Sequence, residues 1–243
     1  MLEEFTKYVN NYDMNDENIR LKYNHSIRVM ELSRKYAQIL GFNDEDIYLA
    51  TLIGLLHDIG RFEQLKVYHS YNDRETIDHA EYGIEQLFDK GLIKNFIKDE
   101  KYYDIIKYAI KYHNKFKLPV CDNERMMMHA KLIRDVDKID IIYLLGYLGE
   151  LNSKVTDDDL SPEIIAGFKN YSCVDDKYIR NHNDNLSRTF GYVFDIYNPE
   201  LLPEIKKNIY YFYKQIDGEK YFKEIYNIVN KYIDERIDNN VRY

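Results

Sequence analysis

The chain has 243 residues, 45% of them aliphatic or aromatic and 31% charged, with four prolines and no tryptophan, a balance that excludes a disordered chain and suits a helix-rich globule in one large domain. Its formal charge of −8, from 42 acids against 34 bases, argues against a dedicated nucleic-acid surface but not against an anionic small molecule. Two cysteines, Cys121 and Cys173, lie far apart with no partners at metal-ligand spacing, so neither a disulfide framework nor a thiolate metal site is expected. The acidic start, Met1-Leu2-Glu3-Glu4-Phe5, lacks a basic region followed by an apolar core, and no apolar run reaches membrane-spanning length. A cytoplasmic protein without a membrane partner is the expectation. Oligomeric state is not legible.

After a short amphipathic start, residues 16–40 read as a long helix stopped by Gly41. His25 falls on its apolar stripe with Val29, Leu32 and Tyr36, so it points inward. Asn43, followed by Asp44, Glu45 and Asp46, caps the next helix. From Ile47 to Ile59 that helix is apolar apart from Thr51, His57 and Asp58, which predicts burial nearly all round. An ionised carboxylate is costly there unless paired or bound to a metal. Taken alone, His57-Asp58 could be a polar pair at a helix end with Gly60 as a left-handed terminator.

Residues 61–74 show little periodicity and read as a loop or short helix at the C-terminal mouth of the buried helix. Asp78 and Glu81 are spaced as a capping box around His79, opening a helix that runs to Lys90 before Gly91. Residues 101–113 form a further helix with Ile106, Ala109, Ile110 and His113 on one face. A long helix follows over 123–149, with Lys131, Arg134 and Lys138 marking its solvent side and Ile133, Val136, Ile139 and Leu144 its apolar side. The helical angle puts Asp137 and Asp140 on the apolar side and Asp135 on its edge. Beyond Leu151 come a polar stretch, a helix opened by Ser161-Pro162, an irregular segment over 171–183, and helices near 186–197, 203–216 and 219–237. No alternating strand pattern occurs, so the fold class is all-α.

His25, the pair His57-Asp58, His79, His113 and Asp137 thus come inward from five helices, and one metal centre would satisfy all of these buried polar groups together. Taken alone, an inward histidine such as His25, His79 or His113 is more often a hydrogen-bonded core residue than a ligand. His69, His129 and His182 keep that plain reading. The order and spacing resemble the HD superfamily of metal-dependent phosphohydrolases: a histidine, a downstream His-Asp pair and a later aspartate, here His25, His57, Asp58 and Asp137, with His57-Asp58-Ile59-Gly60 matching the extended form. The resemblance covers about residues 19–148, an HD helical bundle to which 151–243 would add a C-terminal helical extension.

The resemblance implies a site holding Mn, Fe, Co, Ni or Zn, one or two ions per chain, since imidazole and carboxylate donors suit those metals. His79 and His113 resemble the extra histidines that hold a second metal, with Asp58 bridging, or that contact substrate and move protons. The metal would bring the pKa of water to about 7 and supply hydroxide for attack at the phosphorus of a small phosphorylated metabolite of the nucleotide class. Arg61 would clamp the phosphoryl oxygens; its plain reading is a cation at a helix C-terminus. Arg28, Glu63 and Lys66 are weaker pocket candidates, and Arg180, His182 and Arg188 bring positive charge to a second candidate wall. Arg61 stands where some branches carry an acid three places after the central aspartate, and Asn114 follows His113 where the cyclic-dinucleotide branch has paired histidines. The alternatives are a dinuclear iron oxygenase of the same architecture and a nucleotide sensor without turnover.

Overall fold

The computed structural model describes residues 1–147, 155–216 and 222–239, and every regular element among them is helical. The expected ends of the core near 148 and of the long helix at 149, and the starts of the extension at 151 and of the last helix at 219, lie outside the described residues. The chain divides into two compact units, residues 1–136 and 137–243.

In the first unit, α1 (Leu2–Val9) buries Phe5 and Val9, with Phe5 stacked on Tyr23 and edge-on to Phe62. Helix α2 (Glu17–Ile39) starts where Asp16 accepts the backbone N–H of Asn18, and the chain turns away at Gly41 with φ +75°. Helix α3 (Asp44–Leu56) starts on Asn43, whose side chain accepts the N–H of Asp46. As its sequence predicts, α3 has almost no polar side: Leu49, Leu52, Ile53, Leu55 and Leu56 are wholly buried. Each of these contributes on the order of 1.5–3 kcal/mol, which offsets the cost of the polar pair delivered at the helix end. Gly54 lets α3 approach α2; a Cβ there would stand 2.8 Å from the Val29 carbonyl oxygen.

The unperiodic stretch begins as a helix, α4 (Gly60–Tyr68), ended by His69 in the left-handed region at φ 54°. Gly60 is not a left-handed terminator. Its φ is ordinary, and its function is contact: a Cβ would stand 2.7 Å from the amide nitrogen of Gly83 on α5 (His79–Ile84). Asp78 caps α5 through the N–H groups of Ala80 and Glu81, but Glu81 pairs with Lys111. A π-helical turn, Glu85–Asp89, extends α5 toward Gly91. Helix α6 (Tyr103–Tyr112) ends at His113, and α7 (Glu124–Gly146) runs from the first unit into the second.

Helix α7 corrects the expected solvent side. Arg134 is 1% exposed and Lys138 8%, and Asp135 is wholly buried while Asp137 is half-buried. From Leu132 to Val136 every residue is buried. A charge stripe marks the wet side of a helix only when that side meets water, and this part of α7 has none. Arg134 instead donates from Nη1 to the carbonyls of Tyr112, His113 and Lys115 at 2.7–3.1 Å, satisfying acceptors that the end of α6 leaves open.

The second unit contains α8 (Pro162–Lys169), α9 (His182–Gly191), α10 (Leu202–Gln215) and α11 (Lys223–Asn239). Phe190 packs on Phe212 and Phe222 at its centre. Lys138 pairs with Asp195 at 2.8 Å within this unit. The stop of α9 at Gly191, short of the expected 197, leaves Tyr192–Asp195 as a 3₁₀ turn.

Candidate metal centre

Three turns bring the site together. The α3 helix ends at Leu56 and leaves His57 and Asp58 in the turn before α4; His79 opens α5; His113 closes α6; His25 lies mid-way along α2. All four histidines are buried, at 0–4% exposure, as their helical positions predict, and Asp58 is 3% exposed.

The carboxylate of Asp58 divides them into two pairs. Its Oδ2 lies 3.4 Å from His25 Nε2 and 3.7 Å from His57 Nε2; its Oδ1 lies 3.2 Å from His79 Nε2 and 3.6 Å from His113 Nε2. Within the pairs, the Nε2 atoms are 3.2 Å apart for His25 and His57 and 3.1 Å for His79 and His113. His57 Nδ1 donates to the Gly54 carbonyl at 2.8 Å and His113 Nδ1 to the Ile110 carbonyl at 2.7 Å, because a carbonyl can only accept. Burial first, then the neighbouring rings, pushes His113 down to about 4 against the pull of Asp58, so its neutral ring carries a lone pair on Nε2, and His57 turns the same nitrogen toward the centre.

Lone pairs that converge at this spacing repel unless a cation lies between them. Two imidazole nitrogens about 2.1 Å from one ion would be about 3.0–3.4 Å apart, for octahedral or tetrahedral angles. The observed pairs fall in that interval, so the donor set fits a metal ion. The ligand atoms of His25, His57 and Asp58 lie within 4.8 Å of one another, and so do those of Asp58, His79 and His113.

The electrostatics are anionic at the centre. Burial would raise the Asp58 carboxyl, but the Lys22 ammonium first, then the imidazoles around it, hold it well below the usual carboxylate range. Lys22 was not among the residues expected here. It lies one turn before His25, its Nζ is 2.7 Å from Asp58 Oδ2, and its side chain is 15% exposed. Sequence inspection passes over it because a lysine at the edge of an apolar stripe is ordinary; only the fold brings it to a partner 36 positions away in the chain.

Arg61 is at the site, with Nε 3.6 Å from Asp58 Oδ1, but Nη1 donates to Gln64 Oε1, the Tyr71 carbonyl and Asp73 Oδ1. It lies in the first turn of α4, so the expectation of a helix C-terminal cation does not hold. Lys22 Nζ and the Arg61 guanidinium both approach the Tyr71 ring, at 5.6 and 5.7 Å from its centroid.

Glu63 accepts from Tyr12 Oη at 2.9 Å, Lys66 lies over the Tyr12 ring and is exposed, and Arg28 is half-buried on α2. His129 is a core histidine on Asp46, 2.8 Å away, and His69 is exposed. In the second unit Arg180 forms a two-pronged pair with Glu163, Arg188 pairs with Asp176, and His182 opens α9. Asp137 is the first residue of the second unit, on the unbroken helix α7.

Comparison with known proteins places this geometry. The HD domain family model matches residues 23–143. The chain is 31% identical over 134 residues to a Staphylococcus aureus (strain NCTC 8325 / PS 47) protein named bis(5'-nucleosyl)-tetraphosphatase, symmetrical; the match covers 52% of this chain and 66% of that relative, just under two thirds of its length. No solved structure matches the chain, and no helix among the described residues is long and apolar enough to cross a membrane. HD domains bind divalent metals, and the chain, with its His57-Asp58 pair at the end of a buried helix, belongs to the HD-domain family.

Proposed function

We propose that this protein is a metal-dependent phosphohydrolase acting on a small phosphorylated metabolite of the nucleotide class. The observation that carries the reading is Asp58: one buried carboxylate with a histidine pair on each oxygen, at ring-to-oxygen distances of 3.2–3.7 Å. His25, His57 and Asp58 would hold one divalent ion with Asp137 as the remaining ligand, which the family pattern supports. His79 and His113 would hold a second ion with Asp58, or meet substrate. A divalent ion bound there supplies Lewis acidity, bringing the pKa of water toward about 7 and neutralising phosphoryl charge.

The protein's own part is to hold and orient the phosphoryl group. Lys22 is the cation best placed for it: mostly buried, on the central carboxylate, and stronger as an electrostatic partner there than in bulk water. Tyr71, beside Lys22 and Arg61, shields that flank and is tied down where its hydroxyl donates to the Asn18 carbonyl at 2.8 Å. Nucleotide class is favoured by the name of the tetraphosphatase relative.

The test is a screen of protein loaded in turn with Mn, Co, Ni, Fe and Zn against nucleoside mono-, di- and triphosphates, dinucleoside polyphosphates, cyclic nucleotides and sugar phosphates, scored by released phosphate or nucleotide. Turnover that falls in Lys22→Met while metal content stays normal supports the assignment. Silence across the panel with oxygen uptake on an organic substrate favours the iron oxygenase. Nucleotide binding without turnover favours a sensor.

A further inference from the structure

The four rings are not held alike. His57 and His113 each give Nδ1–H to the carbonyl three residues earlier, so helical backbone orients them. His79 is the first residue of α5 and has no preceding helical turn to offer a carbonyl. Its Nδ1 lies 2.6 Å from Asp73 Oδ2 instead, a carboxylate in the irregular segment between α4 and α5.

Asp73 is itself surrounded. Its Oδ1 accepts from Arg61 Nη1 at 2.7 Å and Gln64 Nε2 at 3.0 Å, and its Oδ2 accepts from Asn114 Nδ2 at 3.3 Å. Gln64 also reaches Thr76 Oγ1 and the Ile77 carbonyl, which ties the segment to α4 along its length. Asn114 also donates to Asp78 Oδ1 at 2.9 Å, joining the residue after His113 to the cap of α5. Burial would raise the Asp73 carboxyl, yet the hydrogen bond from His79 and the charge of Arg61 hold it well below the usual range. Asp73, Asp78 and His79 also satisfy the spacing of a metal trio, but Asp78 is engaged by Lys115 and both Asp73 oxygens already accept hydrogen bonds.

A carboxylate on the far nitrogen of an imidazole fixes the tautomer with a bare Nε2, aims the ring and raises its basicity as a ligand. Resting on the metal-centre reading above, the geometry points to Asp73 as the positioning residue for His79, with Arg61 and Gln64 acting on the centre through it. Arg61 is then a support of the metal centre before it is a phosphate contact.

Two measurements on the full chain test this. In ¹⁵N-labelled, metal-free protein, long-range ¹H–¹⁵N spectra should show His79 with Nδ1 protonated and Nε2 bare, and Asp73→Ala should move it to a mixture of tautomers. In titrations with Co²⁺ alone, Asp73→Ala should weaken binding to the His79–His113 half by about 10–100-fold and leave the His25–His57 half unchanged. Asp73→Asn keeps an acceptor oxygen and should lose less; it serves as the measurement if the alanine variant does not fold. Arg61→Ala should weaken the same half, and should add little once Asp73 is alanine. An unchanged His79 tautomer with Co²⁺ affinity within twofold in the Asp73 variants overturns the proposal, as does an Arg61→Ala loss equally large with and without Asp73. Failure of the wild type to bind Co²⁺ sinks the metal-centre reading instead, and the tautomer of His79 then decides the role of Asp73 by itself.

Discussion

Gly60→Ala isolates the contact that sets His79 in place. Alanine is the better helix residue by about 1 kcal/mol, and Gly60 has an ordinary φ, so backbone preference alone would make the variant more stable. The packing says otherwise. A Cβ at this position would stand 2.7 Å from Gly83 N and 3.2 Å from Gly83 Cα, and nearer still to the His79 carbonyl oxygen. All three neighbours are backbone, so no side chain can rotate away, and α4 must separate from α5 by on the order of 1 Å. Overpacking of this kind costs about 1–3 kcal/mol, and rigid neighbours put it at the upper end; after the helix gain the net loss is about 2 kcal/mol. Unfolding followed by circular dichroism should show this as a lower urea midpoint and a fall in Tm of about 4–8 °C. Because His79 moves with α5, metal binding should weaken as well. Gly91→Ala is the control: its φ is +76° with nothing within 4 Å of the new Cβ, so it should cost about 1–2 kcal/mol through backbone strain and leave metal binding untouched. A Gly60→Ala protein as stable as the wild type, with unchanged metal content, would refute the close approach.

Arg134→Met removes the donor to three carbonyls at the end of α6 and should destabilise by on the order of 3–5 kcal/mol, read from urea midpoints, whereas an exposed arginine would cost little. Asp137→Asn should abolish metal-dependent turnover with the fold intact, while Asp135→Asn, wholly buried, should show mainly in thermal stability; the reverse pattern would transfer the ligand role to Asp135. In metal-free protein, burial holds His129 below 6.5 and His113 at about 4, so the unfolded chain takes up protons first as pH falls. Their share of stability is therefore complete above about 6.5 and declines below it, and His129→Gln should flatten part of that slope in urea melts at pH 7.5 and 5.5. The carboxyls of Asp46 and Asp78 are raised by burial but lowered further by His129 and Arg125, and by Lys115 and Asn114; stability from them holds above about 4 and is lost only in stronger acid.

The inward-facing histidines were legible because burial leaves a periodic mark. His25 shares a stripe with Val29 and Tyr36, His113 shares one with Ile106 and Ile110, and the run into His57-Asp58 is too apolar for any helix but a buried one. The caps Asp16, Asn43 and Asp78 were legible too, being local chemistry. What stayed hidden depends on partners distant in sequence. Lys22 and Asp58 meet across two helices, Asp73 lies in a segment with no period, and Arg134 bears a charge that ordinarily means solvent. Gly60 shows the same limit: a glycine after a helix can serve a left-handed turn or a close approach, and only the neighbouring backbone of Gly83 distinguishes them.

The central claim is that Asp58 joins two histidine pairs in one metal centre. Elemental analysis of the wild type and Asp58→Asn, each reloaded with Mn, Fe, Co, Ni or Zn and freed of excess, tests it directly. The wild type should retain one or two ions per chain and Asp58→Asn a small fraction of that, with both chains folded. A wild type that retains none, or an Asp58→Asn protein that matches it, would contradict the account.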